Sequence, residues 1–414
     1  MKPKTIRQKG KYVKSDVLVV GVDIGKMFHV AVAREPDGGF SKAYRFTSDA
    51  DGFTNFKSWL DERKQGGSFM QVLVGVESTS HYWITLVAWL QRRGIEVVQV
   101  NPLHTRKAKD LYDNTPSKTD KKDARIITDL VSQGKFLRCI VPRGRYADLR
   151  YLVLVRQRLI KERTGVLNTV HRVLDVLFPE FTRVFKNLQT KTSMYLLRYC
   201  YTPALLLRHS RSRLCTRIHQ VSRGTMRLEK IDELYRLAQT SVGVTDGIEG
   251  LRVMLFKALQ RSGQLAWEIQ AIEERLAVLV CGLAETQYLR SMPGIGLVTV
   301  ATLLGESGGL RHYQSAEEVI KLAGLNLYEL SSGKHRGKRR ITHRGRSLLR
   351  AGLYRAAVCA VRRCGVLRAF YERLRARGKY GAVALVAVAC KLMRILFSLV
   401  RDNRMFRNDS VVAR

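Results

Sequence analysis

Two runs near the N-terminus, Val17–Val22 (VLVVGV) and Val72–Val76 (VLVGV), are apolar without a polar residue in every second place, and a carboxylate follows each at once, Asp23 and Glu77. A strand wetted on one face alternates; a run that does not alternate is covered on both faces. The chain must therefore build a sheet with helices packed over it. The neighbouring segments agree. Residues 15–34 hold two β-rich runs broken by Asp-Ile-Gly-Lys, a hairpin signal, and Tyr44–Thr47 adds a shorter strand. Helical spacing over Asp51–Lys64 and His81–Arg93, with strands at Gln71–Glu77 and Ile95–Val100, completes a mixed sheet covered by helices. From Pro102 onward the pattern is helical, so the class is α/β followed by all-α.

The charge balance fixes the kind of partner. The 414 residues carry 73 Lys and Arg against 35 Asp and Glu, a formal net charge of +38. Each phosphate neutralised by such cations releases condensed counterions, so a polyanion is the expected ligand. A ribosome-like or membrane-surface basic protein is the other reading of composition alone. The seven cysteines are scattered without a CxxC pair, which argues against a zinc ribbon or disulfide framework and for a reducing compartment. The basic N-terminus has no apolar run behind it and is not expected to be a signal peptide. Tyr380–Cys390, the longest apolar stretch, is expected to be a buried helix rather than a bilayer span. The expectation is a cytoplasmic protein with no membrane partner.

Three segments follow from the pattern: 1–145 with the mixed sheet, 146–290 almost wholly helical, and 291–414. In the middle, Leu234, Leu237, Leu251, Leu255, Leu259, Trp267, Ile272, Leu276 and Leu279 recur at three- and four-residue spacing, broken near Gly243–Gly250. That spacing predicts a coiled-coil-like pair or bundle, serving as a spacer or as a dimerisation arm. From Ser331 to Arg414 the chain has 22 Lys or Arg against three acids, the expected nucleic-acid face.

In so basic a chain the acids at strand ends draw the eye. Asp23 and Glu77 end buried strands, and Asp120 and Asp123, three apart, share one face of a helix. Four carboxylates brought to one point repel, and Mg²⁺ relieves that repulsion while leaving positions for phosphate and water. Two such ions can clamp the entering and leaving oxygens of a phosphodiester. Lys118, Lys121 and Lys122 suit the approach of phosphate. Each acid also has a plain structural reading: Asp23 as a turn residue, Glu77 beside a helix N-cap, Asp120 as a cap.

Further on, Met292-Pro-Gly-Ile-Gly-Leu297 suits the turn of a helix-hairpin-helix, where Gly294 and Gly296 bring backbone N–H groups to a phosphate; an ordinary helix connection has the same form. Ser331, Ser332 and Gly333 then open a strongly basic run with Lys334, Arg336, Lys338, Arg339, Arg340 and Arg344. Local pattern alone reads this as a solvated basic loop on phosphates. The other reading is a serine nucleophile whose developing charge the cations stabilise.

GVDIGK, VGVEST, KTDKKDA, SMPGIGLVTVATLL and AGLNLYELSSGKHRGKRRITHRGRSLLRAGLY occur in that order. Together they resemble the bacterial insertion-sequence transposases of the DEDD type, the IS-one-ten family related to Piv invertases, over roughly Val17 to Ala357. The resemblance implies an N-terminal RuvC-like, RNase H-fold domain whose acids, here Asp23, Glu77, Asp120 and Asp123, bind Mg²⁺. It implies a C-terminal transposase domain whose serine before a glycine, here Ser332 with Ser331 beside it, attacks DNA and forms a phosphoserine link. It further implies a structured non-coding guide RNA (a bridge RNA) and assembly as a dimer or dimer of dimers. At Leu327 the family often has proline, and nothing after Cys359 carries a family motif. The expected function is site-specific recombination of a mobile element. The rivals are a RuvC-like nuclease or junction resolvase using water, a DNA invertase, and a non-enzymatic nucleic-acid binder.

Overall fold

A computed structural model of the chain describes residues 13–78, 80–112, 119–329, 337 and 339–407. They fall into two compact units, Met1–Val141 and Pro142–Arg414.

The first unit is a six-stranded mixed sheet in the order β3-β2-β1-β4-β5-β6. The chain enters through β1 (Val17–Ile24), turns back antiparallel in β2 (Phe28–Ala33) and extends the edge with β3 (Tyr44–Thr47). Helix α1 (Ala50–Gly66) starts at Asp49, whose carboxylate accepts from Gly52 N–H at 2.8 Å. It returns the chain to β4 (Gln71–Glu77), parallel to β1. Helix α2 (Trp83–Arg92) leads to β5 (Glu96–Val100), parallel to β4. Helices α3 (Pro102–Tyr112) and α4 (Asp120–Ser132) and the two-residue β6 (Leu137–Arg138) follow. Both unalternating runs are thus central strands, as their composition requires. One sheet face buries Leu18, Val20, Val22, Val74 and Val76 with Phe53, Phe56, Leu86 and Leu90 of α1 and α2. The other buries Val17, Val19, Leu73 and Val98 against Ile126, Ile127, Leu130 and Val131 of α4.

Two glycines set how close α4 comes. Gly21 and Gly75 are register partners across β1 and β4. A Cβ at Gly21 would stand 2.4 Å from Ala124 O and from Thr128 N, and one at Gly75 would stand 2.4 Å from Val131 Cγ2. The helix backbone therefore lies directly on the sheet at Gly21. The Thr128 hydroxyl fixes it there, accepting from Gly21 N–H at 2.9 Å and lying 2.8 Å from Val32 O and 2.9 Å from Ala124 O, to one of which it donates.

The second unit is helical. Its axis is the pair α5 (Arg145–Leu177) and α11 (Ile248–Cys281), each about 50 Å long at 1.5 Å per residue. They run antiparallel: Arg145 donates to Gly282 O, Arg156 pairs with Glu273, and Arg261 pairs with Glu162, so the partner number falls as the residue number rises. Between them the short helices α6 (Phe181–Val184), α7 (Lys191–Tyr199), α8 (Pro203–Leu207), α9 (Arg211–Ser222) and α10 (Glu229–Gln239) close a core of Leu174, Leu177, Phe178, Phe181, Leu214, Ile231, Leu234 and Leu255. The break expected near Gly243–Gly250 is the gap between α10 and α11. Trp267 departs from the expectation: Leu265 and Ile269 face inward, and a residue two further along a helix points the other way, so the indole is 73% exposed.

Beyond α11 come α12 (Glu285–Arg290), α13 (Leu297–Ser307), α14 (Ala316–Leu322), a hairpin of β7 (Leu327–Tyr328) and β8 (Arg340–Ile341), and α15 (Ser347–Arg363), α16 (Gly365–Ala376) and α17 (Gly381–Arg401). Helix α13 packs on α5, α11 and α15, its residues Val300–Ser307 all buried. Helix α17 is longer than the apolar stretch Tyr380–Cys390. Its 21 residues are long and apolar enough to cross a membrane by length and composition, yet Val388, Leu392, Met393, Leu396 and Val400 are buried among its neighbours.

Candidate active site: four acids on two strands and one helix

The site begins with a repeated tripeptide, glycine, valine, acid: Gly21-Val22-Asp23 on β1 and Gly75-Val76-Glu77 on β4. Because side chains alternate across a strand, each acid lies on the same face as its glycine. Val22 and Val76 are register partners, so Asp23 and Glu77 end adjacent parallel strands side by side, on the face that α4 covers. The glycines admit the helix, and its first turn carries Asp120 and Asp123 over the acids. Asp123 is buried and Asp120 exposed.

The plain structural readings of these acids do not survive. Asp23 is not in a turn; it pairs with Val30 within the sheet. Tyr82, not Glu77, stands at the start of α2. The cap of α4 is Thr119, whose hydroxyl accepts from Lys122 N–H at 3.3 Å, leaving the Asp120 carboxylate free of that duty.

Electrostatics record the convergence. The Asp23 carboxyl is pushed up to about 6, first by burial and then by Asp123, Asp120 and Glu77, with Lys109 opposing. Lys109 on α3 places its Nζ 2.6 Å from Asp123 Oδ2, while Asp123 Oδ1 is buried without a hydrogen-bond partner. Only the orphaned Oδ1 is left to take a hard cation, since Lys109 already neutralises the other oxygen. Among the described residues, no three acids, histidines or cysteines are gathered closely enough to hold an ion as they stand.

The remaining residues singled out in the sequence are dispersed. Lys121 is exposed on α4, but Lys122 is buried at 8% exposure, so only its neighbour presents charge to solvent. Gly294 has a φ of +90° and is pressed on the backbone of Cys359 and Ala360 in α15; Gly296 has open space and leads α13. Arg339 pairs with Glu329 at 2.8 Å, and Arg340 and Arg344 are exposed. The hairpin β7–β8 brings together the two ends of the serine-bearing segment. Lys118, Ser331, Ser332, Lys334, Arg336 and Lys338 lie outside the described residues.

Lys109 and Thr128 were not foreseen, since neither belongs to a motif. The glycine two places before each acid was visible in the sequence and marks the close approach of α4.

A DEDD transposase family model of the IS110 group, described as a transposase, matches residues 20–179, and one described as the transposase IS116/IS110/IS902 family matches residues 286–372. An uncharacterised protein of insertion element IS116 from Streptomyces clavuligerus is 27% identical, covering 95% of this chain and 97% of its own. One of insertion element IS110 from Streptomyces coelicolor is 26% identical, covering 94% and 95%. A pilin gene-inverting protein from Moraxella bovis is 32% identical over 28% of this chain and 37% of its own.

Proposed function

The chain belongs to the IS110 family of DEDD transposases, enzymes that act on DNA in transposition and recombination, and from that premise we propose a serine-based strand exchange assisted by metal at the four acids. The observation that carries it is the convergence of Asp23, Glu77, Asp120 and Asp123 through two central strands and one helix, recorded at Asp23, whose carboxyl is raised to about 6 by burial first and then by the other three acids. Asp23, Glu77, Asp120 and Asp123 would hold Mg²⁺. When bound, it supplies Lewis acidity at the scissile phosphate and offsets the crowding of carboxylates.

Ser332 supplies the nucleophile. Its hydroxyl oxygen bonds to phosphorus, its proton leaves to a base, and the departing DNA oxygen takes the electron pair of the broken P–O bond. The phosphoserine link conserves the bond energy, and a DNA hydroxyl later displaces the serine, so strands rejoin without net hydrolysis. Lys334, Arg336, Lys338, Arg339, Arg340 and Arg344 stabilise the phosphorane charge, and Gly296 and Lys121 contact the DNA backbone. In this reading residues 1–145 carry the acids, 146–290 form a helical arm joining subunits, and 291–414 carry the serine. A structured guide RNA selects donor and target by base pairing, and dimers or tetramers combine the acids of one subunit with the serine of another. The protein works in the bacterial cytoplasm on the nucleoid. The pilin gene-inverting relative favours inversion as the outcome when the two sites lie on one molecule.

Strand joining between element-end DNA and target, with guide RNA and Mg²⁺, tests the reading. Joining is lost in Ser332→Ala and in Asp120→Ala; full joining in either contradicts it.

A further inference from the structure

Between Phe181 and Leu228 the chain has ten Lys or Arg and no Asp or Glu, a span that carries no family motif. Helices α7 and α9 lie within it and pack on each other. Between them lies a shallow, open cleft lined by Tyr195, Tyr199, Arg217, Gln220 and Val221, a form that suits a strand lying across the surface rather than an enclosed small molecule. The Tyr195 and Tyr199 rings stand 4.8 Å apart, tilted by 46°, and Tyr199 is 52% exposed. Arg217 and Gln220 are exposed.

We propose that this cleft binds one unpaired nucleotide of a nucleic-acid strand, its base against Tyr199 and its phosphate at Arg217. The chemistry selects this ligand over others. Phenol faces offer stacking to any base, the guanidinium offers a paired donor to phosphate, and the Gln220 amide offers both a donor and an acceptor to a base edge. A bare polyanion would need the cations and not the rings. A duplex cannot use the rings, because its base faces are already stacked, so the base must be unpaired. RNA and DNA share this chemistry. The inference rests on the reading that the chain handles nucleic acid, but not on the acids or on Ser332.

The test uses the full chain in EDTA with single-stranded 12-mers, as DNA and as RNA, each carrying one central 2-aminopurine. Quenching of the fluorophore on binding is expected, as is a loss of affinity of about tenfold in Tyr199→Ala. Tyr199→Phe, which keeps the stacking face, is expected to bind as the wild type does. A 12-mer that is abasic at every position is expected to bind the wild type and Tyr199→Ala equally. The nucleic acid with the larger Tyr199→Ala effect identifies the strand the cleft serves. Normal gel shifts with quenching unchanged by Tyr199→Ala overturn the cleft alone. Absence of any shift, or equal competition by polyglutamate, overturns the nucleic-acid reading with it.

Discussion

Lys109 Nζ lies 2.6 Å from Asp123 Oδ2, a lysine from α3 set against the most buried of four acids. It is a built-in counterion, opposing the charge that the other acids impose on Asp23. Removing it leaves the Asp123 carboxylate buried with neither oxygen paired by this lysine. Lys109→Met is expected to cost about 1–3 kcal/mol in EDTA. Saturating Mg²⁺ is expected to recover most of that loss, because it supplies the missing charge. Thermal unfolding with and without Mg²⁺ reads this; an equal Mg²⁺ gain in variant and wild type contradicts it.

Asp23 has the opposite sign. Its carboxyl is raised from 3.8 to about 6, so the folded metal-free chain holds the proton more tightly than the unfolded chain does. Stability therefore falls as pH rises between those values and is level above them. Asp23→Asn is expected to stabilise the metal-free protein at pH 8 by about 1–3 kcal/mol, to change little at pH 4, and to abolish strand joining. Urea unfolding at the two pH values checks it. Destabilisation at pH 8 contradicts a charge that is both buried and crowded.

His29 faces the other side of the sheet, fully buried beside Phe46 and Phe53, and neither ring nitrogen has a hydrogen-bond partner. Burial lowers its pKa from 6.5 to about 4. Between these values the unfolded chain binds the proton and the folded one does not, so stability is full above 6.5 and is lost as pH falls toward 4. The loss is about 1–3 kcal/mol, and His29→Phe is expected to flatten this window. Denaturant midpoints at pH 7 and pH 4.5 in both proteins decide it; parallel losses contradict it.

Gly21→Ala is expected to cost about 1–3 kcal/mol by overpacking, because the new methyl meets the α4 backbone at Ala124 and Thr128. It is also expected to reduce joining, since α4 carries two of the acids. Gly66→Ala meets nothing within 4 Å and is expected to be neutral or slightly stabilising. Equal effects of the two substitutions on chemical unfolding contradict the close approach.

The sheet was legible because unalternating runs admit few other readings, Asp23 and Glu77 were legible because they end those runs, and Asp120 and Asp123 because their spacing of three puts them on one helix face. The same runs carry the glycines that seat α4, so much of the site is written in two heptapeptides. What escaped has physical causes. The strands β6, β7 and β8 are two residues each and have no period to detect. The apolar stretch Tyr380–Cys390 stops at Lys391, yet α17 continues through Lys391 and Arg394 to Arg401. Arg394 reaches out to Glu317 at 2.7 Å and Lys391 lies over Phe370, while Leu392 and Met393 turn inward. Lys109 is one lysine among many, and only its distance to Asp123 distinguishes it.

A covalent bond between Ser332 and DNA, formed with the help of the four acids, is the most direct product of the proposed chemistry. Wild type, Ser332→Ala and Asp120→Ala are each incubated with element-end DNA, guide RNA and Mg²⁺ and run on a denaturing gel. A DNA-linked protein band is expected in the wild type and is expected to be absent in both variants. Cleaved DNA without such a band, in equal amount in wild type and Ser332→Ala, would contradict it and assign the cleavage to water.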